Sequence, residues 1–192
     1  MPDLAPVIAL KLPPEELSAE TTAYFDKCQE KLGLVPNVLR AYAFDEKKLR
    51  VFTEFYNELM LAESELSKLE REMIAVVVSA ENRCHYCIVA HGATVRALSG
   101  DPHLGDTLSV NFRAAKLSAK HRAMLEFASR LTRTPADIDD ASLKALRKAG
   151  FSEHAIWDIV AVAGFFNMTN RVASATKMKP NKEYYAMARP NP

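Results

Sequence analysis

Apolar residues recur at helical spacing along almost the whole of this 192-residue chain. Segment 46–61, for example, places five apolar or aromatic side chains on one helical face: Leu49, Phe52, Phe55, Tyr56 and Leu59. Segments in which Val, Ile and Thr alternate with polar residues are few, and the chain contains only six glycines, so β-sheets are disfavoured. The periodicity therefore predicts an all-α fold.

Start and stop signals divide the pattern into separate helices. Ser18 is a favourable N-cap, Gly33 and Gly100 are typical helix ends, and Ser67 with Glu70 forms a capping box. These signals predict helices over residues 19–32, 37–44, 46–61, 67–80, 84–98, 119–132, 140–149 and 153–176. A break is allowed near Asn167 in the last of them. The Pro-rich tail after Lys179 is expected to be extended and either packed on a neighbour or frayed.

Length and charge limit the classes of function. A chain of 192 residues suits a single domain that buries a real core. The 25 Lys and Arg residues balance the 24 Asp and Glu residues without a polybasic run, so neither nucleic acid nor a membrane surface is an expected partner. The longest apolar runs, 74–80 and 159–166, are far shorter than the ~20 residues of a membrane span. We therefore expect a soluble protein.

The N-terminal segment and the cysteine content indicate the compartment. MPDLAPVIALKLPPEEL has no basic region before its short apolar stretch, unlike a secretory signal. Three cysteines do not make a disulfide framework, and reducing surroundings favour reactive or metal-binding thiols. The expected location is cytoplasmic, and Cys28, alone on the first helix, is expected to be a bystander.

The segment RCHYCIVAHG, residues 83–92, holds two of the three cysteines and two of the five histidines. On the predicted helix its chemically active side chains share one inward face, which comprises Cys84, Cys87, Ile88, His91, Val95 and Leu98. The pair of thiols is compatible with a redox couple, a zinc site or inert core packing. A structural zinc site needs four ligands, and Glu72 or His85 would be a forced fourth, so no metal is expected.

Glu72 is an acid on an apolar face. Its helix lies just before the cysteine segment, and Glu72 lies among Met73, Val76 and other apolar residues rather than with Lys68 and Arg71 on the charged face. A buried carboxylate needs a partner. If residues 81–83 form a tight connection between antiparallel helices, Glu72 lies level with His91.

Such a site suits thiol chemistry. Amides at a helix N-terminus and a nearby imidazolium lower a cysteine pKa from ~8.5. Cβ atoms of residues three apart on a helix are about 5–6 Å from each other, whereas a disulfide needs ~3.8 Å. A bridge between Cys84 and Cys87 would therefore be strained and easily reduced.

The spacing of Glu72, Cys84-His-Tyr-Cys87 and His91 resembles that of the AhpD-like alkylhydroperoxidases of the carboxymuconolactone decarboxylase superfamily. Their pattern is Glu, eleven residues, Cys-x-x-Cys, three residues, His. The stretches LGLVPNVLRAYAF, LSKLEREMIAVVVSAENRCHYCIVAHG and WDIVAVAGFFNMTNRVASAT are similar to its uncharacterised peroxidase-related branch, and the likeness covers residues 20–180. One departure is Tyr86, where AhpD has a histidine; here the histidine is His85, one place earlier.

The resemblance implies an AhpD-like helical bundle that forms a homo-oligomer, trimer or hexamer, and reduces hydroperoxides. In this analogy Cys87 attacks the peroxide and becomes a sulfenic acid, Cys84 donates a proton and then resolves it as a disulfide, and Glu72 with His91 relays protons. No cofactor is implied beyond this disulfide. The electron donor would be a dithiol or a lipoyl-bearing partner.

Further side chains are weaker candidates for contact with the peroxide. Tyr86 is expected to pack rather than react, or to line the peroxide's path. Asn167, Asn170 and Arg171 are unusually polar for the end of an apolar helix, and they either tie helix ends or contact substrate. His85 is expected to face solvent or a subunit contact.

Two other functions fit the same residues. The decarboxylase chemistry that gives the superfamily its name uses an acid-base pair and does not need thiols. A non-enzymatic redox sensor would use the same disulfide to change its assembly or its docking to a partner.

Overall fold

The computed structural model describes residues 7–13 and 16–190 of the chain. Over these ranges the chain forms α-helices and two 3₁₀ turns, 112–114 and 135–137, and no β-strand, so the all-α prediction is confirmed. The helices are α1 Ala19–Leu32, α2 Asn37–Tyr42, α3 Glu46–Met60, α4 Lys68–Glu81, α5 His85–Ser99, α6 Leu104–Asn111, α7 Ala119–Arg133, α8 Asp140–Lys148, α9 Glu153–Ala175 and α10 Glu183–Ala186.

Two earlier expectations concern the chain ends and the membrane. The expectation that the N-terminal segment is no secretory signal falls partly on residues 1–6 and 14–15, which lie outside the described residues. Among the helices of the described part, none is both long and apolar enough to cross a membrane.

The hairpin of α4 and α5 forms the centre of the fold. Ser67 Oγ accepts a hydrogen bond from Glu70 N, and the Glu70 carboxylate accepts one from Ser67 N, so the predicted capping box starts α4. Arg83 adopts a left-handed φ of 53° and reverses the chain within the short connection. Helix α4 then packs against α5, α6, α7 and α9, and its residues 70–79 are buried.

The helices differ from the sequence-based expectations in three places. Helix α6 was not predicted, because its eight residues carry little apolar periodicity. Helix α9 continues through Asn167, whose Nδ2 donates to Ala163 O and Thr132 Oγ1 and is therefore satisfied inside the helix. The tail after Lys179 includes the short helix α10, which the buried Arg96 holds through its hydrogen bonds to Tyr184 O and Met187 O.

Two side chains also differ from the expected faces of α4 and α5. Arg71 is buried, and Nη1 of its guanidinium donates to Leu59 O in the last turn of α3 and to Ala62 O just after that helix. Leu98 is 45% exposed, so the inward stripe of α5 ends at Val95.

Helices α5 and α6 cross at Gly92 and Gly105. A Cβ atom on Gly105 would lie 2.4 Å from Gly92 O, a distance that backbone atoms cannot relieve without moving the helices. We expect Gly105→Ala to lower the free energy of unfolding by about 3 kcal/mol, as measured by denaturant unfolding. Gly164→Ala is the matched control, because nothing lies within 4 Å of a Cβ there; it should be neutral or slightly stabilising.

Candidate functional site

The hairpin brings Glu72 and His91 into direct contact. His91 Nδ1 lies 2.6 Å from Glu72 Oε2, and their side chains are 12% and 6% exposed. The edge of one ring meets the face of the other between His91 and Phe166, with centroids 4.6 Å apart. The antiparallel hairpin and the Glu72–His91 pairing predicted from the sequence are thus both present, and Glu72 is satisfied although it is buried.

Cys84 and Cys87 occupy the start of α5 as free, buried thiols. Cys84 is the N-cap residue, and Cys87 lies in the first turn. The Cys87 side chain donates a hydrogen bond to Cys84, which is the main reason that the pKa of Cys84 is lowered to about 6; the Cys87 backbone N–H, Ser174 and His91 lower it further, against the opposing effect of burial. The same bond and burial raise the pKa of Cys87. The pair therefore loses one proton easily and holds the second.

This asymmetry predicts a thiolate below neutral pH. A lowered pKa means that the Cys84 thiolate dominates above about pH 6 and is lost as the pH falls below that value. We expect the ultraviolet absorbance of thiolate to rise with a midpoint near pH 6 and this step to disappear in Cys84→Ser. Titration of the chain with a single step at the pH of an ordinary cysteine would contradict the asymmetry.

A cavity of about 500 Å³ lies beside the pair and includes Cys87, His91 and Glu72 in its lining, but not Cys84. Most of its wall is aromatic or aliphatic. Five of the six tyrosines of the chain line it, together with three phenylalanines: Tyr24, Tyr42, Tyr56, Tyr86, Tyr184, Phe52, Phe165 and Phe166. The cavity can therefore place an apolar molecule of moderate size against the Cys87 sulfur and the Glu72–His91 pair.

The weaker candidates divide between the cavity and its surroundings. Tyr86 lines the cavity, and its hydroxyl accepts a hydrogen bond from Val38 N at 3.0 Å. Asn167, Asn170 and Arg171 are not part of the lining. Asn82 Nδ2 donates to the side-chain oxygens of both Asn167 and Asn170, and these contacts tie α9 to the end of α4.

Two residues of the site, Ser79 and Ser174, were not predicted from the sequence, and neither was the contact of Asn170 with a cysteine. Ser79 and Asn170 hydrogen-bond to Cys87, and Ser174 hydrogen-bonds to Cys84. Cys28 lines the cavity from α1, and burial raises the pKa of its thiol. The one available signal was for Ser79, a polar residue in the apolar run of α4, as Glu72 is.

His85 lies at the start of α5 and is not part of the cavity lining. His85 is exposed, and its Nε2 lies 3.0 Å from the hydroxyl of Tyr185, in agreement with a residue expected to face solvent.

In the described part of the chain, no group of three or more His, Cys, Asp or Glu side chains is arranged to hold a metal ion.

The chain is similar to proteins of one family. The model of the carboxymuconolactone decarboxylase family matches residues 46–102, which include Glu72, Cys84, Cys87 and His91. The structure of an uncharacterized peroxidase-related protein from Silicibacter sp. TM1040 is 59% identical, covers 98% of this chain and 100% of its own, and has a TM-score of 0.94. That of a second such protein, an alkylhydroperoxidase AhpD core from Ralstonia eutropha JMP134, is 36% identical with the same coverage and a TM-score of 0.92.

A more distant similarity concerns the fold alone. The debrominase Bmp8 is 18% identical, with 93% of this chain and 96% of that chain covered and a TM-score of 0.76, and at this identity only the fold is shared. The chain has no significant match among curated proteins. Because the relatives at 59% and 36% identity match almost end to end, the AhpD-like helical fold is confirmed, and the chain belongs to the AhpD-like group of the carboxymuconolactone decarboxylase superfamily.

Proposed function

We propose that the protein is a thiol-dependent peroxidase that reduces organic hydroperoxides. The observation that carries the proposal is that Cys87 and the Glu72–His91 pair line one apolar cavity, with Cys84 hydrogen-bonded to Cys87 behind it. The relatives described as peroxidase-related and as an AhpD core support the same chemistry. The apolar wall favours a hydroperoxide with an aliphatic or aromatic body over hydrogen peroxide.

The proposed reaction has two steps. The hydrogen bond between the sulfurs lets a proton pass from Cys87 to the Cys84 thiolate, so that a thiolate faces the cavity. Cys87 attacks the terminal peroxide oxygen, the O–O bond breaks, and the sulfur becomes a sulfenic acid while the alkoxide takes a proton from His91. Cys84 then attacks the Cys87 sulfur, a disulfide forms, and hydroxide leaves with a proton as water.

The cycle closes with an external reductant. A dithiol supplies two electrons and two protons and restores Cys84 and Cys87 through thiol–disulfide exchange. A small dithiol or a lipoyl group on a partner has this chemistry, and the reducing cytoplasm would hold such donors in their active form. No further cofactor is part of the proposal.

We also propose that the chain forms a homo-oligomer. The three most exposed large apolar side chains on the helices are Val110 of α6, Trp157 of α9 and Val51 of α3. Exposed apolar patches mark protein contacts, and a subunit interface would cover these side chains. Light scattering is expected to give a mass that is a multiple of the chain mass of 21.4 kDa; a mass of one chain at micromolar concentration would contradict it.

Anaerobic titration with cumene hydroperoxide tests the catalytic proposal. We expect one equivalent to consume both thiols and mass analysis to find the peptide with Cys84 and Cys87 lighter by two hydrogens. Dihydrolipoamide should then support turnover.

The same experiment separates the other two functions. Disulfide formation with negligible turnover, together with a change in oligomeric state, would support a redox sensor. If lactone-acid decarboxylation survives alkylation of the thiols, the acid-base function would replace the peroxidase.

A further inference from the structure

A buried chain of polar side chains lies against Cys87, outside the cavity lining. Asn82 Nδ2 donates to Asn170 Oδ1 at 3.0 Å, and Asn170 Nδ2 donates to Ser79 Oγ at 3.0 Å. Ser79 is 0% exposed and Asn170 is 1% exposed. Both side chains also form hydrogen bonds with Cys87. This network of polar side chains thus runs from Asn82, at the end of α4, through Asn170 of α9 to the Cys87 sulfur.

The direction of these hydrogen bonds is determined by their partners. Asn82 Nδ2 donates to two oxygens, those of Asn167 and Asn170, both at 3.0 Å. Asn167 Nδ2 in turn donates to Thr132 Oγ1 and Ala163 O. Turning either the Asn82 or the Asn167 amide around would put like groups together and break these bonds, so both amides hold one orientation.

The fixed direction leaves donors pointing at sulfur. Because Ser79 Oγ accepts from Asn170, the Ser79 hydroxyl hydrogen is available to an acceptor, and Cys87 is its partner. The second hydrogen of Asn170 Nδ2 is available in the same way. Both groups are donors toward Cys87, and donors favour the charged form of a sulfur.

Donors are needed at Cys87 because the other influences on it are unfavourable to charge. The neighbouring Cys84 and burial both raise the pKa of Cys87, whereas the hydrogen bonds from Asn170 and Ser79 lower it. The negative charge of the pair rests on Cys84, which does not line the cavity, and the two donors lower the free energy needed to move it to Cys87.

We propose that Ser79 and Asn170 are catalytic residues that stabilise negative charge on Cys87, and that Asn82 and Asn167 are positioning residues that aim them. The identification of Cys87 as the attacking sulfur rests on the proposed function. The donors serve the thiolate before attack and the sulfenate after it. In this proposal Asn170 acts on the sulfur, a role different from the two that its sequence position suggested, which were tying helix ends and contacting substrate.

The alternative is that this network of polar side chains only ties α9 to α4. A purely structural role predicts that removing Ser79 lowers stability without changing the titration of Cys87. The two roles are separated by measuring the titration itself, which needs no hydroperoxide and is independent of turnover.

The experiment uses the full chain with Cys28→Ser and Cys84→Ser, so that Cys87 is the remaining thiol. The pH dependence of its thiolate absorbance is measured with and without Ser79→Ala. Loss of one hydrogen bond to a charged acceptor is expected to lower the thiolate fraction about tenfold at a pH below the midpoint. Ser129→Ala is the matched control, because Ser129 is also 0% exposed and its hydroxyl donates to Glu81 rather than to sulfur.

Asn170→Ala provides an independent variant in the same background if Ser79→Ala does not fold, as judged by helical circular dichroism. It removes a donor to Cys87 and the anchor of Ser79, so its midpoint should rise at least as much. The proposal is overturned if both folded variants titrate as Ser129→Ala does. The unsubstituted protein is assayed separately for hydroperoxide reduction. If it reduces none while the midpoints of the variants are shifted, the donors to Cys87 stand and only the proposed peroxidase function is refuted.

Discussion

Replacing Cys87 by serine is expected to abolish hydroperoxide reduction and leave the fold intact. Cys87 is 4% exposed and serine differs from it by one atom, so the packing of α5 is preserved. A serine hydroxyl stays protonated at neutral pH and cannot form a sulfenic acid or a disulfide. We expect turnover of cumene hydroperoxide with dihydrolipoamide to fall by about a thousandfold or more, with unchanged helical circular dichroism.

Two further cysteine variants make this result specific. Cys28→Ser removes the thiol that lines the cavity from α1 and should retain most of the turnover. Cys84→Ser removes the resolving thiol, so one equivalent of hydroperoxide should leave a sulfenic acid on Cys87 that mass analysis detects as one added oxygen. Full activity of Cys87→Ser would exclude Cys87 as the nucleophile that attacks the hydroperoxide.

The central hairpin could be predicted because its determinants are local. Ser67 and Glu70 begin α4, and residues 81–83 are too few for anything except a reversal of the chain. Glu72 and His91 are equally far from that reversal, so they lie opposite each other in the hairpin. Each inference needs only helical geometry and the free energy of burying a charge. These features are therefore readable from one stretch of 25 residues, 67–91.

The cavity could not be predicted in the same way. Tyr24 of α1, Tyr56 of α3 and Tyr184 of α10 meet there, although they are far apart in the chain and each has only ordinary amphipathic spacing. Which helix faces come together depends on packing that periodicity does not determine. The same limit explains Asn170, whose polar character was noticed but whose partners, Asn82 and Ser79, lie 88 and 91 residues away.

Ser79 shows that the sequence contained one unused signal. It is a polar residue within a run of Val and Ala on α4, the same anomaly that identified Glu72. A hydroxyl is less costly to bury than a carboxylate, since it can bond to a backbone carbonyl of its own helix, and so the anomaly is weaker. In the structure Ser79 nevertheless accepts from Asn170 and contacts the sulfur.

Glu72→Gln is expected to lower kcat/KM for cumene hydroperoxide about a hundredfold, the scale of general acid-base catalysis. The glutamine oxygen can still accept the hydrogen bond from His91 Nδ1 that Glu72 Oε2 accepts at 2.6 Å, so the ring keeps its orientation. It lacks the negative charge that stabilises the imidazolium when His91 carries a proton for the alkoxide. The variant therefore separates charge from shape at a buried position.

Glu70→Gln is the control, because α4 carries a second Glu–His pair that does not line the cavity. Glu70 Oε1 lies 3.4 Å from His121 Nε2, and Glu70 caps the helix through Ser67. This variant should lower the free energy of unfolding by about 1 kcal/mol and keep kcat/KM within about twofold at a temperature where it is folded. If Glu72→Gln loses no more activity than Glu70→Gln, the buried acid holds His91 in place without taking part in proton transfer.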